Sequence, residues 1–134
     1  MNRTALWATS IVVVNEAINF IHGQAHERLA VGLQPWQWAF VWTVIVVAPL
    51  VAAALYWTRW RQAGAALLCA SMLGSLLFGV FHHFVAVSPD HVSHLPAGDA
   101  QGLFIVTAVL LVIAEALGAA LAFWQWTTFR RSRI

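Results

Sequence analysis

The sequence predicts an all-α integral membrane protein, a four-transmembrane-helix bundle with both termini cytoplasmic. Three observations predict it. The 134 residues are 61% hydrophobic and 9% charged, where a soluble domain carries roughly 25% charged residues. The apolar residues gather into four stretches, each close to the roughly 20 residues needed to cross a bilayer. The arginines collect at alternate ends of those stretches, as the positive-inside rule requires. No repeat, low-complexity linker or soluble domain interrupts the pattern, so residues 1–134 read as one domain.

The first span covers residues 5–28 and is the most polar of the four, with Asn15, Glu16 and Asn19 in its apolar run. That break, and the lack of a small-residue cleavage site, argue against a cleavable signal peptide. The second span, 35–58, has no ionisable side chain between Trp36 and Arg59, and Pro49 is expected to bend it. It is assigned to packing and lipid contact. The third span, 62–87, ends on His82 and His83, and the fourth, 102–129, carries Glu115 near its middle.

All seven basic residues are arginines. Arg3, Arg59, Arg61, Arg130, Arg131 and Arg133 fall on one side when the spans alternate, and Arg28 alone on the other. Both termini are therefore expected inside a cell membrane of the prokaryotic inner-membrane kind. Trp7, Trp57, Trp60, Trp124 and Trp126 suit an inner aromatic belt, Trp36 and Trp38 an outer one. A net charge of +2, confined to segment ends, gives no footprint for nucleic acid. The single Cys69 excludes an internal disulfide and any CxxC motif.

Every one of the six histidines lies toward the outward end. At 100° per residue, Asn15, Asn19, His22 and His26 share about 60° of arc on the first helix, with Glu16, Gly23 and Glu27 on the adjoining stripe. A polar face inside a bilayer must meet protein or water, and ionisable groups there usually mark a site. His22 and His26 stand at i, i+4, which projects both imidazoles from one side. The HExxH zinc-protease pattern and the Glu-x-x-His pairs of di-iron bundles are absent. Structural hydrogen bonding between helices is the competing explanation for these groups.

On the third span, Ser71, Ser75 and His82 share a face with Gly79 beside it, so His82 rather than His83 is expected to point inward. The spacing of Ser71, Ser75 and Gly79 also suits close helix packing. On the fourth, Ala114, Gly118 and Ala122 form a second small-residue row, fit for packing or for a contact with another copy or a larger membrane complex. Glu115 is expected to meet Asn15, Glu16 or Asn19. The loop after the third span holds Asp90, His91, His94 and Asp99, and would either cap the bundle or remain a solvated connector.

This constellation favours an outward-facing histidine/carboxylate site for a metal ion such as Zn, Cu or Fe, or for a b-type haem. The proposed ligand shell is His22, His26 and His82, with His83, His91, His94 and Asp90 as further ligands or gates. For haem, one axial histidine would come from each of two spans, with room beside Gly23 and Gly79. Asn15, Glu16, Asn19 and Glu115 are the buried polar or proton-bearing groups. A first alternative is proton or ion conduction along Glu16, Glu115 and the outer histidines. A second is a structural subunit of a larger membrane complex. No nucleophile–base pair or phosphate-binding loop is visible, which argues against hydrolysis and phosphoryl transfer, and no catalytic residue is assigned.

Overall fold

A computed structural model describes residues 2–131. Four helices are long and apolar enough to cross a membrane: α1 (Arg3–Arg28), α2 (Pro35–Tyr56), α3 (Arg61–Val85) and α4 (Gln101–Arg131). The bounds differ from the sequence expectation by two residues or fewer. No strand occurs among the described residues.

The bundle is apolar outside and small or polar inside. Phe20, Leu77, Leu117 and Trp124 are exposed, whereas Asn15, Ser71, Ser75, Thr107, Glu115 and Gln125 are buried. An exposed surface of this kind is costly in water and suits lipid.

The arginine-bearing end is tightly closed. Ala5, Ala8, Val12, Ala52, Tyr56, Leu68, Met72 and Ala122 form its core. Asn2 caps α1 by accepting from the Ala5 N–H at 3.2 Å, and its amide donates to the Tyr56 carbonyl. The Arg61 and Arg130 guanidiniums lie over the Phe129 and Trp126 rings. The small-residue row of α4 is used within the bundle: a Cβ on Gly118 would stand 3.2 Å from Met72 Sδ, and Ala114 and Ala122 are buried.

Two stretches of π-helix shape the other end. One, Val41–Val47, immediately precedes Pro49. A proline ring crowds the carbonyl four residues back and lacks an N–H, and a widened turn accommodates both. The other, Phe81–Val85, ends α3, where the Ala86 N–H bonds the Phe81 carbonyl.

The loop after α3 caps this end rather than remaining a solvated connector. Val92 and Leu95 pack on a small core of Ala25, Leu29, Val31, Ala100 and Phe104. The Val92 N–H bonds the His83 carbonyl, and the Gln101 amide donates to the Leu95 and Pro96 carbonyls.

Helix α1 stops at Ala30, whose φ of 53° is left-handed. The Val31 N–H reaches back to the His26 carbonyl, closing a Schellman-type turn. Glycine normally fills this position, because a Cβ costs about 1 kcal/mol there. Ala30→Gly is therefore expected to stabilise the fold by about 1 kcal/mol, read as a rise in the midpoint of thermal unfolding in detergent. An unchanged or lowered midpoint would contradict the strain argument.

Candidate metal centre

Three imidazoles meet under the cap. His22 and His26 come from α1 and His83 from the π turn of α3, and one ligand atom from each lies within 4.8 Å of the others. His22 and His83 are almost fully buried and His26 partly so. The rings pack on one another, with His22 edge-on to His26 and to His83. Phe104 of α4 packs against all three at centroid distances of 4.6, 4.8 and 5.2 Å.

The partners of the Nδ1 atoms fix two of the three tautomers. Thr107 Oγ1 lies 2.8 Å from His22 Nδ1 and within reach of the Leu103 and Phe104 carbonyls, so it accepts from His22 Nδ1–H when its own proton goes to a carbonyl and donates to His22 Nδ1 in the other tautomer. The Val31 carbonyl, aimed by the turn at Ala30, accepts from His26 Nδ1–H at 3.1 Å. The Asp90 carbonyl accepts from His83 Nδ1–H at 3.2 Å. Neutral His26 and His83 therefore carry their lone pairs on Nε2, and His22 does so in the tautomer that gives its Nδ1–H to Thr107.

The His26 lone pair faces a carboxylate, which cannot donate to it, and the His83 lone pair faces His22. His22 Nε2 lies 3.2 Å from His83 Nε2, and His26 Nε2 lies 3.4 Å from Asp90 Oδ1. The first contact is repulsive when both Nε2 atoms carry lone pairs and a hydrogen bond when His22 carries its proton on Nε2; the second repels unless a cation or an extra proton intervenes. Asp90 Oδ1 also stands 3.3 Å from His83 Nδ1, yet neither carboxylate oxygen has a hydrogen-bond partner of good geometry. Burial pushes the Asp90 carboxyl up, but the nearby His83 imidazole, with His26 and His22 behind it, outweighs burial and holds the group below the usual carboxylate range.

The expectation that His82 joins His22 and His26 is corrected. His83 occupies that place. A π turn closes on the fifth residue instead of the fourth, so each residue advances by less than 100°. Across Phe81–His83 this brings His83 to the face where an unbroken α-helix places His82. His82 instead sits among Trp36, Phe78 and Phe81. Gln37 Oε1 accepts from the Gln34 N–H, so its amide nitrogen faces His82 Nδ1, at 3.4 Å. Helix α2 thus contributes a buried polar contact that its sequence did not announce.

As ligands, His91 and His94 are corrected as well. They form a pair in the loop after α3, Nδ1 to Nδ1 at 3.2 Å, with the Ser93 N–H bonding His91 Nδ1, and do not join the three-histidine cluster. Thr107, Phe104 and the Val31 carbonyl were not foreseen. The available signal was that Thr107 is the sole hydroxyl residue between Gly102 and Gly118.

Below the histidines lies a cavity of about 720 Å³. Glu16, Asn19, Ser75 and Glu115 line it together with His22, His26, His83 and Asp90. Glu16 and Glu115 are close enough to act on each other electrostatically, but no direct hydrogen bond joins Glu115 to Asn15, Glu16 or Asn19, contrary to expectation. Both polar atoms of the Asn15 amide, Glu16 Oε1 and Asn19 Nδ2 are buried without partners. Comparison with protein-family models, curated proteins and solved structures gave no match for this chain.

Proposed function

We propose that this chain is a bilayer-spanning protein that binds one divalent transition-metal ion through His22, His26 and His83, with Asp90 beside them, in a metal-handling or redox role. The observation that carries the reading is the meeting of three imidazoles, one ligand atom of each within 4.8 Å of the others. Each Nδ1 has an oxygen partner, which leaves the Nε2 atoms available to an ion. Metal-binding histidines are typically oriented by such outer hydrogen bonds, carboxylates among them. A cation relieves the repulsion between His26 Nε2 and Asp90 Oδ1. The donor set of imidazole and carboxylate suits Zn, Cu or Fe.

A single ion is favoured over haem. With metal–nitrogen bonds of about 2.0–2.1 Å, two ligands of a tetrahedral ion stand about 3.3 Å apart. The His22–His83 nitrogen separation is 3.2 Å. Axial ligands on opposite faces of a haem iron would stand about 4 Å apart at similar bond lengths, with a flat ring between them. Here the imidazoles and Phe104 pack directly together. Proton or ion conduction is disfavoured because the apolar core around Tyr56, Leu68 and Met72 fills the arginine-bearing half. Arginine placement supports a cytoplasmic location for both termini and an outward one for the centre.

Metal analysis of the purified full-length chain tests the proposal. About one equivalent of Zn, Cu or Fe, retained through buffer exchange and removed by a chelator, is expected. Failure to take up any of the three from a modest excess would end the metal reading. Thr107→Val keeps the side-chain shape but removes the acceptor for His22 Nδ1–H. It is expected to weaken metal binding about 10–100-fold, measured by competition with a chromogenic chelator. Wild-type affinity would show that Thr107 does not orient His22.

A further inference from the structure

The cavity beneath the histidines opens sideways. The inner half of α2 packs on α1 and α3, whereas its outer half packs on α3 and stands away from α1. The gap between the outer halves of α1 and α2 is bordered by Phe20, Trp38, Val41, Trp42 and Val46, all lining the cavity. Phe20, Trp38 and Trp42 are also among the exposed residues of the surface. Gly23 sits at this mouth, and a Cβ placed there meets no atom within 4 Å.

The mouth is apolar, but the chamber behind it has two polar poles. His22, His26, His83 and Asp90 form the outer one. Glu16, Asn19 and Glu115 form the deeper one, and Glu16 lies about 9 Å from His22 along the α1 axis. Partnerless buried polar atoms in the deeper pole call for a hydrogen-bonding occupant. A cavity of about 720 Å³ has the size of a small-molecule site.

We propose that the chamber receives a neutral, oxygen-headed lipid, of the fatty-alcohol or acylglycerol kind, directly from the bilayer. The hydroxyl or carbonyl head occupies the chamber, and the acyl chain leaves between α1 and α2 along Phe20, Val41 and Trp42. A neutral head is chosen because an anionic one would meet two glutamates, and a strongly cationic one would meet the metal. The assignment rests on the proposed metal for the outer pole of the chamber, but not for the mouth or the deeper pole.

Photolabelling of the full chain in lipid nanodiscs tests this, with a long-chain alcohol bearing a diazirine partway along its acyl chain as the probe. Adducts mapped by mass spectrometry are expected on Phe20, Val41 and Trp42 several-fold above those on Leu77 and Leu117, which are exposed on other faces. Gly23→Phe, which fills the mouth, is expected to cut mouth adducts at least about fivefold while the metal content of the same sample stays at the wild-type level. Val41→Trp, on the opposite wall, is the second variant and should act alike. Equal labelling of mouth and outer faces, or labelling indifferent to both variants, overturns the proposal. Labelling by the matching fatty acid as strong as by the alcohol overturns the neutral-head assignment. In His83→Ala protein, lost metal with mouth labelling retained leaves the lipid chamber standing while removing the metal from head recognition. Full metal content with no mouth labelling in the wild type refutes the chamber and leaves the metal reading intact.

Discussion

His83→Ala is expected to abolish stoichiometric metal binding, whereas His82→Ala is expected to preserve it. The pair is informative because the two residues are adjacent, and chemistry alone gives no reason to choose between them. His83 is buried against His22 and Asp90, with its Nε2 3.2 Å from His22 Nε2. His82 lies among aromatic rings and faces the Gln37 amide. Loss of a direct ligand should exceed the 10–100-fold typical of outer partners, so His83→Ala and His22→Ala should each weaken binding by more than about 100-fold. His82→Ala should stay within about threefold of wild type and instead loosen the junction of α2 and α3. Because a metal that binds only the folded state raises stability, adding the ion should raise the unfolding midpoint of wild type and of His82→Ala, but not of His83→Ala. The reverse ranking, with His82→Ala losing the ion and His83→Ala keeping it, would disprove the assignment of the π-turn face.

Gly64→Ala is expected to destabilise the bundle by about 3 kcal/mol, at the upper end of ordinary overpacking costs. A Cβ at Gly64 would stand 2.9 Å from the Ala52 carbonyl oxygen, 3.0 Å from Leu55 Cβ and 3.2 Å from the Tyr56 nitrogen. Two of these are backbone atoms of α2, so relief requires the helices to separate rather than one side chain to swing aside. Gly102→Ala is the matched control, since a Cβ there meets nothing within 4 Å. It should be neutral or mildly stabilising, because alanine is the better helix former. Unfolding of both variants in mixed detergent, followed by loss of helical circular dichroism, measures the difference. Equal stability of the two would show that α2 and α3 do not depend on this close approach.

Much of the fold was legible in the sequence because four long apolar stretches leave few ways to fold. Span length, apolar composition and the need to satisfy backbone groups internally leave helices as the solution for stretches of this kind. The α1 stripe was legible for the same reason: Asn15, His22 and His26 could not face hydrocarbon, and a 3.6-residue period carried them to one side. The capping loop could be located, though not assigned as a cap. The choice of His83 was not legible, because it depends on a π turn that no residue in Phe81–Val85 signals locally. Thr107 was hidden differently. A threonine in an apolar helix ordinarily satisfies itself on its own backbone, as Thr107 can, and only the neighbouring α1 shows that its hydroxyl also pairs with His22 Nδ1.

Composition and periodicity, which are properties of one helix at a time, determined four apolar spans, their bounds, the polar face of α1 and the end of the bundle where titratable groups gather. Convergence is a property of several helices at once, and only the tertiary structure decided it. A widened turn in α3, a left-handed residue after α1 and a hydroxyl on α4 together bring three imidazoles within reach of one another. The separation of the outer halves of α1 and α2 was likewise a matter of how helices pack, so the lateral cavity had no counterpart in the pattern of any single segment.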